Sequence, residues 1–464
     1  MMDRHEPSAL PEALLDELRA RFGDRCSTAA AVREQHGRGE SPFPATPPDV
    51  VVFAENEAEV QAVLALCNTQ RVPVIAFGAG SSLEGQLLAT RGGVCLDLSR
   101  MNHIVRIDVS DFTATVQAGV TKEQLNAALR TEGLFFPVDP GAHASLGGMA
   151  ATRASGTNTV RYGSMRENVL ALTVVMSDGR VVHTGTRAVK SAAGYDLTRL
   201  FVGSEGTLGV ITEVTLRLFP LPESVSAAVI TFSDAHSAVS TVIEAIQAGL
   251  PIARSEYLCA RSIRAINTAT PELALRERPT LFMEFHGSPA SLEEQIGLLS
   301  EIAQQHAGED FQWAERPEER TRLWQARHHA YYSCRQVRAG AQIITTDTCV
   351  PRSRLAESIE GAAAIMADAP FPHMIFGHVG DGNFHVLMVV DPDSEAERDR
   401  AEALNEAIVH LALSMGGTCT GEHGIGYHKK AFLLRETGAP AVDLMRQIKS
   451  VLDPHGILNP DKIF

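Results

Sequence analysis

Residues 376–386 read FGHVGDGNFHV, and residues 421–426 read GEHGIG. The first stretch carries His378 and His385 with six residues between them, and the second places Glu422 beside His423. Two imidazoles and a carboxylate are a common donor set for a catalytic divalent metal, and a further imidazole suits general-base work near neutral pH. The spacing has a geometric reading. Apolar residues flank Asp381-Gly382, and Asp-Gly is a strong signal for a two-residue hairpin turn. That turn puts His378 opposite His385, and directly opposed residues share a sheet face with Cβ atoms ~4.5–5.5 Å apart. A facing histidine pair can also be a half-buried hydrogen-bonded pair with no metal. Glu422 tips the balance, and the glycines around Glu422-His423 suggest backbone drawn close to a flat ligand.

The elements needed to position these side chains follow the order of the chain. Strand and helix patterns alternate from 49 to 218: strands over 49–54, 72–78, 93–99, 113–120, 169–179 and 208–218, helices over 55–70 and 121–133. Such alternation predicts an α/β region. Two prolines in FPLPES (219–224) mark a boundary. Residues 225–370 mix strands and helices as an α+β substrate-binding region, and the tail from about 415 is rich in Gly, Pro and Asn. The domains expected are an N-terminal helical segment (1–44), a first domain (45–222), a substrate or cap domain carrying the hairpin (223–414), and a C-terminal segment (415–464) returning to the first.

Composition narrows the function classes. A chain of 464 residues with 44% hydrophobic and 21% charged residues reads as globular, with two or three domains. A net charge of −15 argues against a nucleic-acid partner. Seven scattered cysteines without a CxxC pair exclude a thiolate zinc site and point to a reducing compartment. No run of ~18 apolar residues marks a membrane span, and the N-terminus lacks a signal-peptide pattern. The expected location is cytoplasmic, with peripheral contact at the inner membrane left open.

Three glycine-rich loops complete the pattern. FGAGSSLEG (77–85) follows a strand, but its glycines at 78, 80 and 85 do not match the dinucleotide fingerprint GxGxxG. Asp97 alone partly mimics that fingerprint's ribose-binding acid. The N–H groups of Gly78, Ala79, Gly80, Ser81 and Ser82 can instead converge on a phosphate. The small-residue run 137–169 is too long for a turn, and VGSEGTLGVITEVTLRL (202–218) enters a strand through glycines. Taken together, with AGYDLTRLFVGSEGTLGVITE (193–213) as the specific signature, the loops resemble the FAD domain of the vanillyl-alcohol-oxidase (PCMH) type. The fold this implies is α+β: a two-subdomain PCMH-type FAD-binding domain followed by an α+β cap with an antiparallel sheet and helices.

The resemblance implies that 78–82 binds the flavin pyrophosphate, and that Pro140, Gly141, Ser145, Gly148, Ser155 and Gly156 line the pyrophosphate and isoalloxazine. Glu205, Gly206, Gly209 and Ile211 would complete the adenine and ribose side. The first loop has no His or Cys for covalent attachment, so noncovalent FAD is expected.

The two histidine stretches resemble the FAD-linked C-terminal domain of the D-lactate and D-2-hydroxyacid dehydrogenases. That resemblance implies metal ligation by His378, His385 and Glu422, with zinc or manganese expected and iron as an alternative. It implies His423 as the base and, through LDPHGILNPDK (452–462), Asn459 near the flavin. LWQARHHAYYS (323–333) matches the segment whose arginine, here Arg327, holds the substrate carboxylate. Gln342 and Leu387 stand where hydroxyglutarate-type relatives have a lysine and an asparagine, which favours a monocarboxylate. The implied reaction is oxidation of a D-2-hydroxy acid, foremost D-lactate, with hydride transfer to flavin N5 and electrons passing to a quinone, a cytochrome or an electron-transfer flavoprotein. A glycolate oxidase catalytic subunit and a D-2-hydroxyglutarate dehydrogenase are the nearest alternatives. A metal-dependent hydrolase and a non-redox flavoprotein are the alternatives from other classes. A homodimer is the expected assembly.

Overall fold

The computed structural model describes residues 10–314, 316–328 and 330–464, without the side chains of Pro317, Gln325, Ala326 and His328. The first nine residues of the expected N-terminal segment and His329 of the arginine segment therefore lie outside the described residues. Two compact units emerge. One takes the described residues up to Ser155 with Gly163–Leu221 and Glu422–Phe464; the other takes Gly156–Tyr162 and Pro222–Gly421. The boundary at 221/222 falls within the FPLPES break, the chain returns to the first unit at Glu422 and not near 415, and the described part of the N-terminal segment belongs to the first unit.

In the first unit, Val50–Phe53, Val94–Asp97 and Val74–Phe77 lie parallel in that spatial order, with the short strand Cys26–Ser27 antiparallel at the edge. A parallel pair needs a crossover, and helix Glu57–Gln70 supplies it, starting where the Asn56 side chain accepts the Glu59 N–H. Val60, Val63, Leu64 and Cys67 from that helix pack with Val50, Val52 and Leu96 in a fully buried cluster. Burying each such aliphatic side chain contributes about 1.5–3 kcal/mol before conformational entropy is counted. The expected α/β pattern ends there. The next sheet is antiparallel, in the order Ile104–Asp108, Thr113–Gln117, Val210–Arg217, Val169–Val175, Val181–His183. Antiparallel neighbours need no crossover, so strand–helix alternation along the chain did not mean parallel pairing in space.

Asp97 does not hold a ribose. It is buried, its Oδ2 lies 2.8 Å from His36 Nε2, and its Oδ1 accepts the Ser99 N–H. His36 Nδ1 meets the Val32 carbonyl at 2.8 Å. Both ring nitrogens face acceptors, which only the doubly protonated imidazolium satisfies. Burial works against that charge, but Asp97 and the Val32 carbonyl outweigh it and raise the His36 pKa. A raised histidine pKa gives stability that is complete below the unfolded value of about 6.5 and lost as pH climbs through the folded value. The melting-temperature gap between the wild type and His36→Gln should therefore shrink as pH rises above about 6.5. A gap that is the same at every pH contradicts the charged pair.

The second unit is built on an eight-stranded antiparallel sheet. Its order is Glu309–Ala314, Ser224–Thr231, Thr280–Gly287, Ile252–Leu258, His373–His378, Asn383–Val390, Gln342–Thr345, with Thr348–Cys349 also pairing with Asn383–Val390. Strand side chains alternate between faces. Ile375, Val386, Met388 and Val390 pack on one face with helices Ala235–Gln247, Pro289–Gln305, Leu355–Ile365 and Glu395–Ser414. Met374, Phe376, Leu387 and Val389 pack on the other with Ile263 and Ile266, Trp324, and Ala330 and Cys334. The histidines belong to this second face.

Candidate functional site

The histidine hairpin forms, but in a different register from the one expected. Phe376 faces His385 and Ile375 faces Val386, so His378 is not opposite His385. Strand Asn383–Val390 begins five residues after His378, and a four-residue turn, Val379–Gly382, joins the strands. The longer tip has local causes: Asp381 N–H donates to the His378 carbonyl at 3.0 Å, Val350 N–H donates to the Gly382 carbonyl at 2.9 Å, and Arg352 Nε donates to the Gly380 carbonyl at 2.7 Å. Gly382 sits at φ 91°, where glycine is at ease. The register differs by two residues, which preserves the face. The rings remain neighbours, their centroids 5.6 Å apart and their planes at 86°.

Each ring has its Nδ1 occupied from within the second unit. His385 Nδ1 lies 3.0 Å from the Thr346 carbonyl, and His378 Nδ1 lies 2.5 Å from Glu256 Oε1. Nδ1 held by a carbonyl or a carboxylate leaves Nε2 as the ligating atom, the usual arrangement behind metal-binding histidines. Glu256 comes from the neighbouring strand, directly opposite His378, and is fully buried. Its Oε2 accepts from Arg327 Nε at 2.8 Å and Nη2 at 2.5 Å, and the Arg327 guanidinium lies 4.7 Å from the Phe376 ring centroid. Burial pushes the Glu256 carboxyl up, but Arg327 and His378 outweigh burial and hold it below the usual carboxylate range. Asp347, also fully buried, accepts from Asn383 Nδ2 at 3.0 Å and Thr420 Oγ1 at 2.7 Å, and its carbonyl accepts the Gly421 N–H at 3.0 Å. The residue immediately before Glu422 is thus tied to the strand pair that carries the histidines.

Leu387 lies on the histidine face, within the apolar cluster of Met374, Phe376 and Ile343. Gln342 does not. It pairs with Val390, and its neighbour Ile343 takes the histidine face, so Gln342 belongs to the opposite face. The absence of a lysine at 342 therefore says nothing about this face.

In the first unit, Glu422 Oε2 accepts from Ser155 Oγ at 2.7 Å. His423 Nδ1 lies 3.4 Å from Glu84 Oε1, and the His423 carbonyl accepts from Gln86 Nε2 at 2.8 Å. Glu84 is buried, with Lys429 Nζ at 2.8 Å and His428 Nδ1 at 3.4 Å. Burial opposes its charge, but Lys429, His423 and His428 hold its pKa well below the usual range. Glu205, expected on the adenine and ribose side, instead accepts the Ile425 and Gly426 N–H groups at 2.7 and 2.8 Å. Burial pushes its carboxyl up to about 7 against those two bonds. The glycines of GEHGIG also have a nearer cause than a flat ligand: a Cβ at Gly421 would strike the Asn383 amide, at Gly424 the Glu205 carboxylate, and at Gly426 the Glu84 carbonyl.

The flavin-loop residues divide. Gly209 is glycine because a Cβ there would strike Val174, and Ile211 is buried in the hydrophobic core. Gly156 belongs to the second unit, its N–H bonded to Thr159 Oγ1. The loop at Gly78–Ser82 and the turn before helix Leu146–Thr152 do meet, since a Cβ at Gly78 would strike Ser145 Oγ, while Ser145 caps that helix by accepting from the Gly148 N–H. Pro140 and Gly141 precede that turn, and Gly141 has open space around it. Ala79 is exposed and Ser81 half-buried, as a loop offering its N–H groups requires. Asn459, at φ 39°, donates to the Gln86 and Glu205 carbonyls. Gly206 has room beside Asn459, at 3.9 Å or more. Among the described residues, the buried oxygens Ser82 Oγ, Ser204 Oγ and Asn459 Oδ1 have no hydrogen-bond partner in the protein. Buried polar atoms in native proteins are normally satisfied, so this small-residue surface with orphaned oxygens fits a polar, extended cofactor. Within the second unit, the imidazoles of His378 and His385 are donors of a type that suits a divalent cation.

Comparison with known proteins agrees with this anatomy. A family model described as an FAD binding domain matches residues 48–185, and one described as the C-terminal domain of FAD linked oxidases matches residues 221–463. A Danio rerio protein named probable mitochondrial D-lactate dehydrogenase is 50% identical over 460 residues, covering 98% of this chain and 92% of its own. A mitochondrial D-lactate dehydrogenase [cytochrome] of Arabidopsis thaliana is 44% identical, covering 99% and 81%. A glycolate oxidase subunit of Bacillus subtilis is 34% identical, covering 92% of each chain. A p-cresol methylhydroxylase structure has the same fold, with a TM-score of 0.78 at 16% identity over 97% of this chain and 96% of its own. No helix among the described residues is long and apolar enough to cross a membrane. The chain belongs to the FAD-linked D-lactate and D-2-hydroxyacid dehydrogenase family, with a PCMH-type FAD-binding domain.

Proposed function

We propose that the protein is an NAD-independent D-lactate dehydrogenase that oxidises D-lactate to pyruvate with bound FAD and an assisting divalent metal. The observation that carries the reading is the buried Arg327 guanidinium on the sheet face that also holds His378 and His385. Glu256 occupies the Nε–Nη2 edge of Arg327, leaving the Nη1–Nη2 edge to take a carboxylate in bidentate fashion. Leu387 and its apolar neighbours offer no partner for a second carboxylate, and they suit a methyl group.

His378, His385 and Glu422 would hold the metal, zinc or manganese in preference to iron. Gly78–Ser82, Ser145, Gly148, Ser204 and Asn459 would hold FAD noncovalently, and Pro140, Gly141, Ser155 and Gly206 would line it. Bound FAD supplies a two-electron acceptor, and a bound divalent cation supplies Lewis acidity at the hydroxyl oxygen. Arg327 fixes the carboxylate and so orients Cα. His423 takes the hydroxyl proton at Nε2 while Glu84 faces its Nδ1. The Cα hydrogen leaves with its electron pair, and the substrate becomes the 2-oxo acid. A cytochrome as final acceptor goes with this reading, since three relatives carry that word in their names. The protein would act in the cytoplasm as a homodimer, whereas the relatives named above as dehydrogenases are called mitochondrial.

Chelation tests the metal. Dialysis against EDTA, followed by metal assay, should abolish reduction of the flavin by D-lactate while leaving the flavin bound, and added zinc or manganese should restore it. Full reduction by metal-free protein discards the roles of His378, His385 and Glu422.

A further inference from the structure

Glu256 is an acid in the middle of a central strand, Ile252–Leu258, fully removed from water. A buried carboxylate is costly unless it is paired and hydrogen-bonded. Here one oxygen meets His378 Nδ1 and the other meets both Nε and Nη2 of Arg327. The two contacts come from different directions. His378 stands opposite Glu256 on the next strand, whereas Arg327 descends from helix Pro317–His328. Phe376 closes the other side of the guanidinium. Arg254, on the same strand as Glu256, pairs instead with Glu284 at 3.4 Å, on the strand at the other side, and so does not compete for Glu256.

We infer that Glu256 is a positioning residue that sets two ligand-binding groups at once: it fixes the His378 tautomer and ring plane for the metal, and it turns Arg327 so that the Nη1–Nη2 edge receives the substrate carboxylate. The inference rests on the proposed function and deepens it. Its distinguishing consequence is coupling. Metal affinity and substrate affinity depend on one carboxylate, so a single substitution weakens both, whereas Arg327→Met weakens only the substrate because the His378–Glu256 contact survives.

The test uses flavin-loaded Glu256→Gln, isosteric but without the charge, with Glu256→Asp and Arg327→Met in parallel. Metal affinity is measured by equilibrium dialysis against zinc or manganese in the absence of substrate, and KM and kcat with D-lactate at saturating metal. For Glu256→Gln a loss of about 10–100-fold in metal affinity is expected, together with a rise of about tenfold or more in KM that saturating metal does not correct. Glu256→Asp keeps the charge and should recover part of both. Unchanged metal affinity, unchanged KM, or equal metal loss in Arg327→Met each overturns the inference. So does loss of flavin from both Glu256 variants, which would make the carboxylate a support of the fold alone. Wild-type protein that binds no metal yet oxidises D-lactate is a failure of the proposed function itself and is recognised before any variant is compared.

Discussion

Replacing His423 by alanine should lower the rate of flavin reduction by D-lactate about 10²–10⁴-fold, the range that a positioned general base supplies. The flavin should remain bound, since Ser145 still accepts from the Gly148 N–H and Asn459 still donates to the Gln86 and Glu205 carbonyls. Its carbonyl, held by Gln86, survives the substitution. KM should move little, because the carboxylate is held by Arg327, and a fall in kcat and kcat/KM together marks an interaction made in the transition state. His423→Asn should behave the same way, since an amide cannot take the proton. A normal reduction rate in either variant removes His423 from the chemistry. His428, which shares Glu84, would then be the next histidine to examine.

Arg327→Met should have the second large effect, and it should be double. The substrate loses a bidentate charged partner, and Glu256 keeps only His378 inside a buried setting. Hydrogen bonds to charged groups contribute about 1.5–3 kcal/mol each, so kcat/KM should fall on the order of 10²–10⁴-fold, with much of the loss in KM. Removing one partner of a buried ion pair typically costs about 3–5 kcal/mol of stability. The double variant Arg327→Met with Glu256→Gln should recover part of that stability and none of the substrate affinity. Arg327→Lys should resemble the methionine variant more than the wild type, because a single ammonium cannot serve both Glu256 and a carboxylate with the guanidinium's geometry. Wild-type KM in Arg327→Met contradicts the carboxylate role.

The part of the anatomy that was legible has signals local in sequence. FGAGSSLEG, GEHGIG and the LNPDK tail each fall within a dozen residues, and the structure shows Gly78 against Ser145, and Asn459 donating to both the Gln86 and Glu205 carbonyls. The strand and helix limits around 50–97 came within a few residues for the same reason. What failed was set by distant partners. The hairpin tip is lengthened by bonds to Val350 and Arg352, some thirty residues upstream, which no rule about Asp-Gly turns contains. Gln342 was placed by its spacing from Arg327, although strand parity puts it on the opposite face. Glu205 matched a motif, and that its carboxylate also braces the loop that follows His423 is a contact across 220 residues that no motif contains. Glu256 and Glu84 belong to no pattern. Their one available signal was a lone acid inside an apolar strand, IARSEYL, and another inside a small-residue loop, SSLEGQ, and buried acids are rare unless paired.

The most direct measurement of the central claim is anaerobic mixing of the purified, metal-replete protein with D-lactate, L-lactate, glycolate and D-2-hydroxyglutarate in separate runs, following the visible flavin absorbance. Rapid bleaching by D-lactate, slower bleaching by glycolate, and little or none by L-lactate or the dicarboxylate is the predicted result. Bleaching led by D-2-hydroxyglutarate or glycolate, or a flavin that no hydroxy acid reduces, would contradict it.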